Sequence, residues 1–193
     1  MVLASGSKIR SEMLLRAGIA CDVVPAEIDE GAIKQQFLRN GSKTIALVLA
    51  ERKALHVSRN YSCRLVIGAD QILDLDGEIF NKPIDRDQAR SQLIRLSGRS
   101  HELISAVSVA CDGQERWNHV DRARLWVRDL SEEFIDSYLS QVGDAAFTSP
   151  GSYQVEGIGI QLFDRIDGNH YTILGMPLLP LLTYLRTQQM VLS

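Results

Sequence analysis

The first residues that could do chemistry lie close to the start of the chain, in the stretch Ser-Gly-Ser-Lys-Ile-Arg at positions 5–10. A short apolar run precedes this stretch and apolar residues at helical spacing follow it, so the pattern predicts strand, loop and helix. Backbone N–H groups and the positive end of the helix dipole then meet beside Lys8 and Arg10, an arrangement that binds anions. The simpler interpretation is that Ser7 only caps the helix. The spacing is not that of a P-loop.

A second candidate is Asp70, which ends the apolar run that begins at Leu65. Such a run predicts a strand that is buried on both faces. A carboxylate at the carboxyl end of a buried strand lies where α/β proteins place their ligands, and it can act as a base or hold a metal. An aspartate that only forms a turn would fit the same segment. This segment leaves both interpretations open.

The remaining candidates are two lysines, a pair of acidic residues and a glycine-rich segment. Lys53 shares one side of a predicted helix with two alanines, which snorkelling of a long side chain would explain. Lys82 lies between a strand pattern and a helix start, where a surface lysine is the simpler interpretation. Asp29-Glu30 is typical of a helix start. The clustered glycines of segment 151–159 permit a ligand to approach the backbone, or form an irregular loop.

The elements that must position these residues alternate between strand and helix patterns. Helices are predicted from 30 to 38, after caps at Thr44, Asp85 and Ser131, and from 178 to 185. Asp76-Gly77 and Asp112-Gly113 each separate two strand patterns, which predicts two hairpins. Because adjacent strands occur beside the alternation, we predict an α/β fold with a mixed sheet.

Composition narrows the function further. The chain has 193 residues, 45% of them hydrophobic, which predicts one globular domain over 1–193. The net charge of −3 gives no positive field for a polyanion, so we expect no nucleic-acid partner. Three cysteines without zinc spacing are predicted to be buried reduced thiols. Neither a signal-peptide pattern nor an apolar stretch of membrane-spanning length occurs, so we expect a cytoplasmic protein with no membrane contact.

Taken together, these segments resemble the Maf family of nucleoside triphosphate pyrophosphatases. The similar motifs follow one another nearly from end to end: residues 3–10, Asp29-Glu30, Lys53-Ala54, and residues 67–70, 77–83, 96–101, 151–153 and 174–178. The resemblance implies hydrolysis of a nucleoside triphosphate to monophosphate and pyrophosphate with a divalent cation, Mg, Mn or Co. It also implies an elongated mixed sheet flanked by helices, with a central cleft, and a homodimer.

The resemblance also implies roles for individual residues. It assigns phosphate binding to Ser7, Arg10, Lys53 and Lys82. Asp70 becomes the general base on the attacking water, and Glu30 and Asp70 become the metal ligands. Since a carboxylate that binds metal and one that takes a proton look identical in sequence, the role of Asp70 stays open between the two.

Three departures from the commonest family pattern bear on the nucleotide base. Ile9 stands where the family usually has arginine, Gln71 follows Asp70 where the pyrimidine-preferring branch has threonine, and Glu156 replaces a glutamine. All three are similar to the branch that acts on 7-methyl-GTP, a non-standard nucleotide. A carboxylate at position 156 could accept the N1–H and the exocyclic amine of guanine.

Three alternatives accompany this prediction. The chain could act on dTTP, UTP or many nucleoside triphosphates, or bind nucleotides without turnover as a regulator of cell division. The inosine and xanthosine triphosphate pyrophosphatases have a similar fold, but their Asp-Ser-Gly type of acidic motif is absent from this sequence.

Overall fold

The structure is a computed structural model that describes residues 1–191. The chain divides into two compact units. Unit 1 contains residues 1–71 and 104–122 and the described residues from 169 onward, and unit 2 contains residues 72–103 and 123–168. The prediction of a single domain over 1–193 stays a prediction.

Seven helices and seven strands make up the regular structure of the described residues. The helices are α1 Lys8–Arg16, α2 Glu30–Phe37, α3 Ser42–Ser58, α4 Arg86–Leu96, α5 Glu132–Val142, α6 His170–Ile173 and α7 Leu178–Thr187. The strands are β1 Val2–Leu3, β2 Asp22–Val23, β3 Val66–Leu75, β4 Glu78–Phe80, β5 Ser100–Cys111, β6 Gln114–Val127 and β7 Phe163–Asp167.

The strands pair in both directions. In unit 1, β1 runs parallel to β2 on one side and to β3 on the other, with Val2 opposite Asp22 and Val66. In unit 2, β3 pairs antiparallel with β4, and β6 pairs antiparallel with β7. The predicted α/β class with a mixed sheet is therefore confirmed.

The core of unit 1 lies where the sheet meets helices α1 and α7. Leu3 and Ile67 from neighbouring strands pack with Leu14 of α1 and Leu181 of α7, and all four side chains are buried. Burying side chains of this size contributes about 1.5–3 kcal/mol each. This packing fixes β1 and the first half of β3 relative to the start of α1.

Most local signals in the sequence are confirmed. Asp85 and Ser131 cap α4 and α5, and the two Asp-Gly turns join β3 to β4 and β5 to β6. The Thr44 cap is wrong, because α3 begins at Ser42 after Gly41, and the Thr44 hydroxyl donates to the carbonyl of Asn40 instead. The prediction of buried thiols is also wrong: the cysteines are free, but one is exposed and two are half-buried. No helix within residues 1–191 is long and apolar enough to cross a bilayer.

Candidate active site

The loop between β1 and α1 holds Arg10 in a fixed position. Ser7 is the N-cap of α1, and its Oγ accepts from the backbone N–H of Arg10 at 3.4 Å. The Arg10 guanidinium donates to the carbonyls of Gly175 (2.9 Å) and Ala69 (2.8 Å) and to the Oγ of Ser5 (3.1 Å). These three bonds link three separate segments of unit 1 through one side chain.

Burial lowers the pKa of Arg10, while the nearby carboxylates of Asp70 and Glu30 oppose that shift. The guanidinium still carries its charge at neutral pH, because arginine starts from a very high pKa. Gly175 makes room for it: a Cβ at this position would lie 3.4 Å from Arg10 Nη2, on a backbone whose φ of +104° favours glycine. A charged donor group is thus fixed beside Ala69 in the middle of β3.

Asp70 lies in the middle of β3 and not at its carboxyl end as predicted, because the strand continues to Leu75. Its side chain meets Lys53 from α3. Lys53 Nζ donates to Asp70 Oδ1 at 2.6 Å and lies 2.7 Å from Glu30 Oε1 at the start of α2. Lys53 is only 7% exposed and Asp70 only 6%, so this pair is not a solvated surface contact. The Lys53 ammonium does not snorkel into water but binds two carboxylates. Burial raises the pKa of Glu30, but Lys53, with smaller contributions from Lys34 and Arg10, outweighs it and holds this pKa below the usual range.

The close packing of β3 on α3 depends on Gly68. A Cβ at position 68 would collide with the backbone oxygen of Ala50 and would lie 2.7 Å from the backbone nitrogen of Ala54. Only a glycine permits this approach of strand and helix. Because Gly68 lies two residues before Asp70, the same contact brings Asp70 within reach of Lys53.

Gln71 and Ile9 flank this cluster in unit 1. The Gln71 side-chain amide donates through Nε2 to Ser105 Oγ and to the carbonyls of Thr172 and Ile173, each at 3.0 Å. These bonds engage the amino group and leave Oε1 as the atom that can accept from a ligand. The half-buried side chain of Ile9 packs against the unit 1 core.

Two of the predicted site residues belong to unit 2. Lys82 is exposed in the segment between β4 and α4. Glu156 is exposed in a turn. The predicted roles of Lys82 in phosphate binding and of Glu156 in base recognition stay predictions.

The segment that leads to Glu156 is held by buried polar contacts. The backbone N–H of Gly151 donates to Gln92 Oε1 at 2.9 Å, and the Tyr138 hydroxyl donates to the carbonyl of Ser152 at 3.0 Å. The Tyr153 hydroxyl lies 2.6 Å from His101 Nε2. The predicted irregular segment is therefore fixed to α4, α5 and β5 of the same unit.

Comparison with known proteins places the chain in a family. The family model described as Maf-like protein matches residues 1–188. The chain belongs to the Maf-like family.

Named relatives of this Maf-like protein match it over almost their full length. A 7-methyl-GTP pyrophosphatase of Brucella abortus biovar 1 (strain 9-941) is 48% identical over 193 residues, covering 99% of this chain and 97% of the relative. A nucleoside triphosphate pyrophosphatase of Rhodopseudomonas palustris (strain BisB18) is 49% identical, covering 99% of this chain and 95% of the relative. A 7-methyl-GTP pyrophosphatase of Mesorhizobium japonicum (strain LMG 29417 / CECT 9101 / MAFF 303099) is 47% identical, with 97% and 95% covered.

The donor atoms of the Maf-like cluster suit a divalent cation. Glu30 and Asp70 present two carboxylates that converge on one cationic atom, Lys53 Nζ. Mg²⁺ is commonly held by one or two carboxylates together with substrate phosphates. Residues 1–191 contain no group of three or more His, Cys, Asp or Glu side chains arranged for a metal. The role of Glu30 and Asp70 as metal ligands stays a prediction.

Sequence reasoning missed several residues that organise this site in the Maf-like chain. Ser5 accepts from Arg10, and Ser105 and Thr172 hold Gln71. In unit 2, His101 contacts Tyr153. The signal for His101 is its place as the last residue of the motif 96–101, because its spacing to the other histidines carries no information.

The buried His101 also predicts a dependence of stability on pH. Burial lowers its pKa to about 4, whereas an exposed histidine titrates near 6.5. The unfolded chain therefore binds a proton that the folded chain excludes. Stability from this residue is complete above about pH 6.5 and is lost as the pH falls toward 4, by about 3 kcal/mol in total.

The variant His101→Gln keeps a hydrogen-bonding side chain but does not titrate. We expect its free energy of unfolding to fall less between pH 6.5 and pH 4 than that of the wild type, measured by urea unfolding at each pH. Carboxylates that titrate in this range affect both proteins, so the difference isolates His101. Identical pH slopes would reject the assignment of a neutral buried histidine.

Proposed function

We propose that this chain hydrolyses 7-methyl-GTP between the α and β phosphates, releasing 7-methyl-GMP and pyrophosphate. The observation that carries the proposal is the buried pairing of Lys53 with Asp70, beside Glu30 and Arg10, in a Maf-like chain. Relatives named as nucleoside triphosphate pyrophosphatases and as 7-methyl-GTP pyrophosphatases support the reaction type and the substrate.

Phosphate binding neutralises the negative charge that keeps water away from the α-phosphorus. Arg10 is fixed by its contacts with Ser5, Ala69 and Gly175, so it meets the phosphate oxygens without reorganising. Ser7 brings the N-terminal N–H groups of α1 to the same loop. Lys53 and Lys82 contribute further positive charge to the triphosphate.

Asp70 is the proposed general base. Its Oδ1 is bound to Lys53, which fixes the carboxylate and leaves Oδ2 to accept the proton of the attacking water. Glu30 and Asp70 also hold a divalent cation, Mg, Mn or Co. Such a cation neutralises charge on the phosphate oxygens and orients the triphosphate when it is bound.

Base recognition is assigned to Ile9, Gln71 and Glu156. The free Oε1 of Gln71 accepts from a ligand N–H, because Nε2 is already engaged in unit 1. Glu156 accepts the N1–H and the exocyclic amine of guanine and favours a ring that methylation has made cationic. Ile9 supplies an apolar surface where an arginine would add charge.

The specificity test compares the wild type with Glu156→Gln. We expect kcat/KM of the wild type to be higher for 7-methyl-GTP than for dTTP, UTP or GTP. Glu156→Gln should narrow this preference by about 1.5–3 kcal/mol, the typical contribution of a hydrogen bond to a charged group. Measurement requires pyrophosphate release with each nucleotide under one metal condition.

Glu133→Gln is the matched control, since Glu133 is another exposed glutamate of unit 2. This control should leave unchanged the ratio of kcat/KM for 7-methyl-GTP to kcat/KM for the other nucleotides. A wild type that prefers dTTP or UTP, or an unaltered ratio in Glu156→Gln, would reject the specificity and favour a pyrimidine or broad-specificity enzyme. Turnover of any of these nucleotides to pyrophosphate would still support the reaction type.

The proposal also includes a homodimer in the cytoplasm. Light scattering of the purified chain tests the dimer, and fractionation of cells that express a tagged chain tests the location. A monomer at micromolar concentration would contradict the first part, and recovery outside the cytoplasmic fraction would contradict the second.

A further inference from the structure

A cavity of about 310 Å³ lies between α2 and α3 in unit 1. Its apolar lining comes from Ile33 and Phe37 of α2 and Leu55 of α3, all of them half-buried. None of the residues assigned above to phosphate, base or metal binding lines this cavity. The volume is at the lower end of the range of small-ligand pockets. Its size suits one small molecule and is too small for a dinucleotide.

One side of the cavity is positively charged. Arg52 and His56 of α3 and the C-cap residue Arg59 are exposed at positions i, i+4 and i+7, and all three line the cavity. Within residues 1–191, neither guanidinium forms a hydrogen bond or an ion pair with a side chain of another residue. The charge of Arg52 acts on the carboxylate of Glu51, its neighbour in the chain.

Among residues 1–191, a single carboxylate lines the same cavity. It belongs to Asp29, whose Oδ1 caps α2 by accepting from the backbone N–H of Ala32 at 2.9 Å. The two arginines therefore give this cavity a positive charge in a chain whose formal net charge is −3. A ligand that matches the lining is an anion with an apolar, flat part.

We propose that this cavity binds a nucleoside monophosphate. A planar guanidinium fits phosphate oxygens with two parallel hydrogen bonds, and Arg52 and Arg59 together offer two such groups. Phe37 offers an aromatic surface on which a base stacks, and Ile33 and Leu55 add apolar area beside it. The site is separate from the proposed hydrolytic site and does not require turnover at that site.

The test uses 8-azido-AMP as a photoaffinity probe, with the labelled peptides identified by mass spectrometry. We expect label on residues 28–37 or 52–59, and we expect AMP to compete better than adenosine or inorganic phosphate. In the double variant Arg52→Ala/Arg59→Ala, labelling of these segments should fall at least about tenfold, because two charged hydrogen-bonding groups are lost. Its hydrolytic rate should stay at the wild-type level.

The matched control is Arg16→Ala/Arg186→Ala, which removes two exposed arginines elsewhere in unit 1. This control should be labelled like the wild type. Label confined to other segments, or unchanged labelling of the double variant, would overturn the proposal. Competition by adenosine or by phosphate that equals that of AMP would overturn it as well, because the site would then recognise only half of the ligand. The hydrolytic assay separates this result from any failure of the proposed function.

Discussion

Asp70→Asn is expected to lower kcat by about 10²- to 10⁴-fold, the usual contribution of a general base. The substitution preserves the size of the side chain but removes the oxygen that takes the proton. The variant should still fold, because Lys53 keeps Glu30 as a partner at 2.7 Å. Pyrophosphate release measures the rate, and thermal unfolding measures the stability.

The control for this experiment is Asp164→Asn, which changes an exposed aspartate of β7. It should leave both rate and stability unchanged. Wild-type turnover in Asp70→Asn would show that Asp70 is neither the base nor an essential ligand. A variant that fails to fold would show instead that the Lys53–Asp70 pair is chiefly structural.

Gly68→Ala is expected to have the second large effect. Overpacking a core typically costs about 1–3 kcal/mol, and we expect about 3 kcal/mol or more here, because a backbone oxygen cannot rotate away from the added Cβ. A Gly68→Ala protein that still folds must have β3 moved away from α3 to make room for the added Cβ. Since Asp70 and Lys53 lie on these two elements, the rate should fall together with the stability.

Gly157→Ala provides the comparison, because its Cβ would lie no closer than 3.9 Å to the carbonyl oxygen of Gln154. Its free energy of unfolding in urea should stay near that of the wild type. A Gly68→Ala protein as stable as the wild type would mean that strand and helix pack less tightly than we describe.

Features that depend on nearby residues could be predicted from the sequence. Ser7, Asp85 and Ser131 each cap a helix by accepting an N–H three residues away, so the sequence around each of them suffices. The Asp76-Gly77 hairpin is equally local. The prediction of a Thr44 cap was wrong because a threonine hydroxyl can donate to the carbonyl four residues back as easily as it can cap a helix.

Features that depend on distant residues could not be predicted from patterns alone. Arg10 is held by carbonyls 59 and 165 positions away, and no local spacing predicts such partners. The sequence places Lys53 on the side of a helix that also carries two alanines. Its burial, however, requires Asp70 from a strand and Glu30 from another helix. The family resemblance grouped these residues, whereas the geometry supplied the reason for Gly68 and Ser5.

The most direct test of the central claim is the position of bond cleavage, measured with 7-methyl-GTP in water enriched in ¹⁸O and analysed by mass spectrometry. Attack of water on the α-phosphorus, with Asp70 as base, predicts 7-methyl-GMP that carries the label and pyrophosphate that does not. Release of 7-methyl-GDP and inorganic phosphate, or binding of the nucleotide without turnover, would contradict the account.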